Sequence, residues 1–196
     1  MRILHLDTGH TMRGGQHQVL LLLKGLQNCG HSQTLLAKDP LLERWPGQSI
    51  GVTTLRREAS SADLIHAHDS AAHTLAALWC PHKPLVVSRR VAFQSEHGIL
   101  SRLKYMRAHR FLAVSQYVAD RLCAVGVASS KIEVIYDAVH PLDYRCTSVQ
   151  HAGLVVGPYS DDPLKKGPPL QAAVRQADLS LHLSKNLVTD LPSASI

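Results

Sequence analysis

Aromatic residues are scarce in this sequence, and it has no long hydrophobic run. Phe, Trp and Tyr make up 5% of the 196 residues, and no basic stretch is interleaved with them. Binding of single-stranded nucleic acid depends on aromatic side chains that stack on the bases, so this scarcity argues against that function. No segment contains the roughly 18 consecutive apolar residues that a membrane-spanning helix needs. The apolar opening stretch is short and ends at Asp7, which favours the first strand of a cytoplasmic protein over a signal peptide.

Cysteine and acidic residues are also sparse. The four cysteines are widely separated and form no C-x-x-C pair, a pattern typical of free thiols in a reducing compartment. Asp and Glu total 15 against 21 Lys and Arg, which gives a formal net charge of +6. A basic protein favours anionic partners such as nucleotide phosphates, nucleic acid or lipid headgroups, so peripheral contact with the inner face of a membrane is compatible with the composition. The cysteines are Cys29, Cys80, Cys123 and Cys146.

Short apolar segments alternate with longer amphipathic ones along most of the chain. This alternation is typical of β-α-β units, and it predicts an α/β fold with a Rossmann-like parallel sheet and helices on both faces. Gly30 and Gly126 mark the ends of two predicted helices. The predicted strands cover residues 2–7, 33–37, 51–55, 63–67, 84–88, 110–114 and 132–136, and the predicted helices cover 15–28, 41–45, 70–79, 100–108 and 115–125.

Two consecutive glycines, Gly14 and Gly15, lie between the first predicted strand and the first predicted helix. Ligands of open parallel sheets bind at the carboxyl ends of the strands. Glycines at that position let backbone N–H groups approach a phosphate, and the helix N-terminus adds partial positive charge. The spacing does not match G-x-G-x-x-G. The pair therefore indicates either a phosphate-binding loop or only a flexible turn.

Histidines and a carboxylate stand at the end of the predicted strand 63–67. His66 and His68 are two residues apart and therefore share one face of the strand, and Asp69 follows them. Imidazole and carboxylate groups are good zinc ligands, but the sequence identifies no third ligand that would converge with them. We therefore predict no metal site, with one histidine packed in the core and the other lining a cleft.

Two arginines, Arg89 and Arg90, follow the predicted strand 84–88. Guanidinium groups at the carboxyl end of a strand are well suited to bind a phosphate or another anion. The alternative is an exposed basic loop without a ligand. We predict that both arginines belong to an anion site.

Five motifs, taken in order, resemble those of the family-4 glycosyltransferases. A first strand, a Gly-Gly loop and a leucine-rich helix open the sequence. A D-hydrophobic-hydrophobic-H-x-H strand, an x-hydrophobic-x-V-S strand with its helix, and a K-I-x-V-I strand follow in the order that the family shows. A V-V-G segment followed by a K-G pair is similar to the start of the family's second domain. The motifs lie within residues 1–16, 63–68, 111–122, 131–139 and 152–167.

The resemblance implies the GT-B architecture, in which two Rossmann-like domains face each other across a cleft. Residues 1–140 would form the amino-terminal, acceptor-side domain, 141–151 a linker, and 152–196 the truncated start of the donor-binding domain. The implied activity is transfer of a sugar from a nucleotide-sugar donor to a saccharide or lipid-linked acceptor, with retention, in polysaccharide synthesis for the cell envelope. The resemblance implies neither a cofactor nor a metal.

The resemblance also implies roles for single residues. Gly14 and Gly15 would border the donor diphosphate, and His68 would line the cleft on the acceptor side as the catalytic candidate. Lys166 matches the basic residue that neutralises the phosphates, a role that suits the negative charge developing on the departing nucleotide. Arg89 and Arg90 complete the predicted site.

Several positions depart from the family pattern. Pro158 stands where an arginine is expected, Ser88 and the two arginines replace a histidine, and Asp137-Ala138 replaces Asn-Gly. The paired glutamates of the second domain have no counterpart in the sequence. We therefore expect an incomplete enzyme with little or no activity by itself. The alternatives are a non-catalytic Rossmann-like binding module that acts with a partner chain and, third, a domain that binds duplex nucleic acid.

The segment 152–196 has a further consequence for association. A single strand–helix–strand unit cannot cover both faces of its own sheet. We expect it to dock on the first domain or to favour self-association through exposed apolar side chains. These side chains are Leu154, Val155, Val156, Leu179, Leu181 and Leu183.

Overall fold

The computed structural model describes residues 1–91 and 99–139, in which strands and helices alternate. Residues Met1–His140 form one compact unit. The strands are β1 (Arg2–Leu6), β2 (Ser32–Leu36), β3 (Gln48–Ser49), β4 (Leu64–Ala67), β5 (Leu85–Arg89), β6 (Arg110–Ala113) and β7 (Ile132–Val134). The helices are α1 (Gly14–Asn28), α2 (Asp39–Leu42), α3 (Leu55–Ser61), α4 (Ser70–Trp79), α5 (Ile99–Arg107) and α6 (Gln116–Ala124), with short 3-10 turns at Val52–Thr54 and Ser129–Lys131.

The strands form one parallel sheet in the order β3-β2-β1-β4-β5-β6-β7. Strand β1 lies inside the sheet, where Leu4 is in register with Thr34 of β2 on one side and with Ile65 of β4 on the other. The chain places β2 and β3 on one side of β1 and all later strands on the other. The carboxyl ends of β1 and β4 therefore flank the topological switch point at which open α/β sheets bind ligands. The predicted Rossmann-like parallel sheet is confirmed.

Side chains alternate between two faces of the sheet, and helices cover both. On one face, Val19 and Leu23 of α1 pack with Leu35, Leu41 and Trp45. The other face buries the larger apolar cluster beneath α3, α4 and α6. The α1 face is unusual because its strands also bury polar side chains. These are His5, Asp7, Gln33, His66, His68 and Ser88.

Local signals account for most helix ends. Gly30 ends α1 with φ +78° and Gly126 ends α6 with φ +91°, conformations that glycine adopts without the strain a Cβ would introduce. The amide of Gly30 donates to the Gln27 carbonyl, and the amide of residue 31 donates to the carbonyl of Leu26. Both predicted helix ends are therefore confirmed.

The strand predicted at 51–55 is wrong. The chain instead makes a 3-10 turn at Val52–Thr54 and enters α3, which buries Leu55 and Ala59. These two residues are four apart, the spacing of one helix face. The strand of this region is β3, a two-residue edge strand at Gln48–Ser49 whose side chains are exposed, so it has no apolar alternation that a sequence pattern could reveal.

Two predicted segments, the linker at 141–151 and the partial domain at 152–196, lie outside the described residues. None of the helices within 1–91 and 99–139 combines the length and apolar character needed to cross a bilayer.

Candidate functional site

The start of α1 presents backbone N–H groups beside a short side-chain cap. Gly14 and Gly15 are its first two residues; the Arg13 side chain makes no cap hydrogen bond, and Gln16 Oε1 accepts from the Arg13 amide at 3.3 Å. The first turn contains no acidic residue. Because the first N–H groups of a helix have no intrahelical acceptor, this end can bind an anion. A Cβ at Gly14 would meet nothing within 4 Å, so the approach to its backbone is open.

Asp7, at the carboxyl end of β1, organises the loop that leads into α1. Its Oδ1 accepts hydrogen bonds from the Gly9 amide at 2.8 Å and from Gln16 Nε2 at 3.1 Å. Burial raises the pKa of the Asp7 carboxyl, and the hydrogen bond from Gly9 opposes that rise. A Cβ added at Gly9 would lie 2.4 Å from Gln16 Nε2, so a larger residue here would displace the Gln16 side chain from its contact with Asp7. The loop is therefore held by side chains on both of its flanks.

Asp69 joins this loop to the neighbouring strand. It is the N-cap of α4, where its Oδ1 accepts from the amides of Ala71 and Ala72, each at 2.8 Å. The same carboxylate accepts from the Thr8 amide at 2.5 Å and from the Thr8 hydroxyl at 2.8 Å. One side chain thus caps a helix and fixes the position of the β1–α1 loop.

The two predicted arginines point to opposite faces of the sheet. Arg90 lies on the α1 side, where a Cβ at Gly15 would be 3.9 Å from its Cδ and where its Nε donates to Asp137 at 3.3 Å. Arg89 is 6% exposed, and its Nη2 lies 3.5 Å from the Tyr105 hydroxyl of α5. Successive residues of a strand alternate between faces, so the structure brings Arg90 but not Arg89 to the glycine loop.

The segment after β7 closes the other side of this region. Gln18 of α1 donates to the Ala138 carbonyl at 2.6 Å and accepts from the Ala138 amide at 3.0 Å. With the ion pair between Arg90 and Asp137, these bonds hold the segment against α1. A cavity of about 400 Å³ lies beneath it, mostly apolar, with Ser88 and Arg90 at its polar part.

His68 lies directly after β4 within a cluster of three buried imidazoles. Its Nε2 is 2.9 Å from His5 Nδ1, the two rings stack with centroids 5.2 Å apart, and the His66 ring centroid lies 4.1 Å away. His5 Nε2 contacts Gln33 Oε1 at 2.6 Å, and His66 Nε2 contacts Ser88 Oγ at 2.8 Å. Burial lowers the pKa of all three imidazoles, that of His5 to about 4.

His5 is the third imidazole that the sequence did not reveal. One nitrogen from each of the three rings lies within 4.8 Å of the others, so the cluster has the donor atoms of a metal site. Four of the ring nitrogens are instead engaged with one another, with Gln33 and with Ser88. Strand alternation puts His5 and Asp7 on one face of β1, but only the register with β4 shows that His5 lies beside His66.

Of the predicted site residues, Gly14, Gly15, His68 and Arg90 lie on the α1 side of the sheet, at or near the carboxyl ends of β1, β4 and β5. Arg89 lies on the opposite side, and Lys166 lies outside the described residues. The sequence did not reveal that Asp7, Gln16 and Asp69 shape the loop.

Comparisons with known proteins agree with this fold. The family model described as Glycosyltransferase Family 4 matches residues 12–141, more than half of the chain. The structure of Anabaena Alr3699/HepE in complex with UDP-glucose aligns with a TM-score of 0.59 at 20% identity, over 71% of this chain and 44% of that one. The same protein with UDP and glucose aligns with a TM-score of 0.61 at 18% identity, over 71% and 45%.

A structure of a second protein, the apo form of the lipopolysaccharide outer core galactosyltransferase WaaB, aligns with a TM-score of 0.59 at 13% identity. That alignment covers 93% of this chain and 68% of WaaB. At such identities the likeness concerns the fold. The chain spans less than half the length of the HepE structures. No curated protein matches the sequence.

Proposed function

Because the chain belongs to glycosyltransferase family 4, we propose that it forms the acceptor-side domain of an enzyme that transfers a sugar from a nucleotide-sugar donor to a saccharide or lipid-linked acceptor, with retention of the anomeric configuration. We place this activity in the synthesis of cell-envelope polysaccharide and in the cytoplasm. Free thiols at Cys29, Cys80 and Cys123 support a reducing compartment.

The observation that supports this function best is the glycine start of α1, at Gly14 and Gly15, beside a guanidinium group. The amides of Gly14 and Gly15 start the helix next to Arg90, at the edge of the sheet where the strands have their carboxyl ends. A helix N-terminus and an arginine both favour a phosphate group. The side chain of Arg90 is only 17% exposed, so its charge is screened less than that of a surface arginine.

The proposed reaction assigns each of these groups a part. The bond between the anomeric carbon and the diphosphate oxygen breaks, and its electron pair leaves with the nucleotide diphosphate. The acceptor hydroxyl oxygen forms the new bond on the same face of the sugar, and its proton passes to the departing phosphate. Negative charge therefore grows on the diphosphate, where donors that are already oriented stabilise it most effectively.

A donor panel tests the proposal. The purified 196-residue chain is titrated calorimetrically with UDP-, GDP- and ADP-sugars, and nucleotide release is measured with simple glycosides and with a polyprenyl phosphate sugar as acceptors. We expect one nucleotide to bind and the Arg90→Gln variant to bind it more weakly. No binding of any nucleotide sugar would contradict the proposal. Donor binding with transfer only after a separate donor-domain protein is added would favour the alternative, a binding module that acts with a partner chain.

A peripheral contact with anionic lipid forms part of the same proposal. Helix α5 exposes Leu103 and Met106, which are 57% and 64% accessible, on a chain with a formal net charge of +6. Exposed apolar side chains combined with basic charge favour binding to an anionic surface. Sedimentation with phosphatidylglycerol vesicles should exceed that with phosphatidylcholine vesicles and should fall in a Leu103→Ser/Met106→Ser variant. Equal sedimentation with both lipids would contradict the contact.

A further inference from the structure

The buried polar groups on the α1 face form one directed chain of hydrogen bonds. Gln33 on β2 contacts His5 on β1, and His5 contacts His68 after β4. All three side chains are at most 8% exposed. This chain of hydrogen bonds therefore runs across three neighbouring strands, in a region from which water is largely excluded.

The backbone determines the direction of this chain. Gln33 Nε2 donates to the carbonyl of His31 at 3.0 Å, which leaves Gln33 Oε1 as the atom that faces His5. A carbonyl oxygen only accepts hydrogen bonds, so His5 Nε2 must bear the proton. His5 is neutral because burial lowers its pKa to about 4, and its Nδ1 is therefore an acceptor. The proton between His5 and His68 must then belong to His68 Nε2.

This direction determines the chemistry of the remaining nitrogen. Burial, with smaller contributions from His66, His5 and Arg90, lowers the pKa of His68 well below its usual range. A neutral imidazole with its proton on Nε2 has a lone pair on Nδ1. Among the described residues, His68 Nδ1 is buried and has no hydrogen-bond partner. A buried acceptor without a donor is destabilising, so a ligand group that donates to it would be favoured.

We propose that Gln33 and His5 are positioning residues that hold His68 as the Nε2–H tautomer, so that its Nδ1 accepts a hydrogen bond from a hydroxyl group of the sugar substrate. The identity of the donor as a sugar hydroxyl rests on the proposed function, whereas the tautomer does not. A neutral acceptor selects hydroxyl or N–H groups and disfavours phosphate and carbonyl oxygens. His68 follows β4 directly and precedes Asp69, which binds the loop before α1, so this selection acts at the ligand-binding edge of the sheet.

The competing arrangement is a metal ion bound by the three imidazoles. If the ion were bound through His5 Nδ1 and His68 Nε2, both atoms would need lone pairs, yet they share a hydrogen bond at 2.9 Å. The His68 proton would move to Nδ1, where the described residues offer no acceptor. Ligating histidines normally donate their second N–H group to a partner, so the hydrogen-bonded chain is the better account.

Nitrogen NMR on the chain labelled with ¹⁵N-histidine tests the tautomer. In the wild type near neutral pH we expect His68 to show a protonated Nε2 and an unprotonated Nδ1. The Gln33→Leu variant removes the acceptor that orients His5, so His68 should become a mixture of tautomers. Ser88→Ala is the matched control, because it removes the partner of His66 and leaves the Gln33–His5–His68 chain intact. Backbone amide spectra establish that each variant is folded.

Three results would overturn the inference. If His68 of the wild type is protonated at Nδ1, the inference is overturned whether or not the variants fold. An unchanged His68 tautomer in folded Gln33→Leu shows that Gln33 does not set it. Stoichiometric binding of Zn²⁺ that shifts all three imidazoles together identifies the cluster as a metal site.

The substrate part is tested with UDP alone, UDP-glucose, and UDP with glucose as probes. We expect the His68 Nδ1 resonance to move with the two sugar-containing probes and not with UDP. If these probes shift resonances of the glycine loop but leave His68 unchanged, the hydroxyl assignment fails and the proposed function stands. If no probe causes any shift, the proposed function and the hydroxyl assignment fail together, and the tautomer result remains.

Discussion

Replacing Gly15 with alanine separates anion binding by α1 from the contribution of that helix to stability. The residue occupies the second position of α1, and its φ is not in the left-handed region, so alanine fits the backbone. The new Cβ would make an ordinary contact with Arg90 Cδ at 3.9 Å. We therefore expect the variant to fold.

The substitution should have opposite effects on stability and on nucleotide affinity. Alanine is favoured over glycine within a helix by up to about 1 kcal/mol, so the free energy of unfolding should stay equal or rise slightly. A methyl group at the bare backbone should displace a bound phosphate and weaken one amide–phosphate hydrogen bond. A hydrogen bond to a charged group is worth about 1.5–3 kcal/mol, which corresponds to roughly 10- to 100-fold weaker binding.

The assay combines urea unfolding with calorimetric titration of the nucleotide that binds best to the wild type. Gly25→Ala is the matched control, because Gly25 lies in the same helix and a Cβ there would meet nothing within 4 Å. That variant should gain stability and keep the wild-type affinity. If Gly15→Ala bound the nucleotide as tightly as Gly25→Ala, the glycine pair would be only a turn and the phosphate-loop argument would be refuted.

Three further predictions concern single side chains around the site. Arg90→Gln should weaken nucleotide binding about 10-fold with little change in stability, whereas Arg89→Gln should lower the free energy of unfolding by roughly 1–3 kcal/mol and leave the affinity unchanged in calorimetry. Asp69→Ala should cost about 2 kcal/mol in urea unfolding, because α4 loses its cap and Thr8 loses its acceptor. Burial lowers the pKa of His5 from 6.5 to about 4, so the unfolded chain takes up a proton that the folded state excludes. The free energy of unfolding should therefore fall by up to about 3 kcal/mol as the pH is lowered from 6.5 to 4. The decline should be shallower in the His5→Leu variant.

Each of these predictions has an outcome that contradicts it. Equal losses of affinity in the two arginine variants would mean that the faces of β5 are not separated as described. An Asp69→Asn variant as unstable as Asp69→Ala would point to the charge and not to the hydrogen bonds. Urea unfolding that is independent of pH between 6.5 and 5 would show that His5 is not buried as a neutral group.

The sequence by itself determined the elements whose signals are local. Glycines 30 and 126 end helices because a left-handed residue is needed there, and Asp69 begins α4 because its carboxylate accepts from two amides of the first turn. The alternation of apolar segments with amphipathic ones was enough to predict the parallel sheet, since β-α-β units repeat within short stretches of chain. The edge strand β3 was missed because both of its residues are exposed and show no apolar alternation. Helix α3 was missed because it buries only two residues, Leu55 and Ala59, which leaves a weak helical pattern.

Only the tertiary structure decided which of the predicted site residues meet. Gln33, His5 and His68 are joined across 28 and 63 residues of chain, and such separations leave no periodic signal in the sequence. The opposite directions of Arg89 and Arg90 follow from strand alternation, but the packing of α1 and α5 on different faces decides which arginine reaches the loop. Local sequence sets secondary structure through nearest neighbours, whereas the register of the strands sets the site because it aligns residues that are distant along the chain.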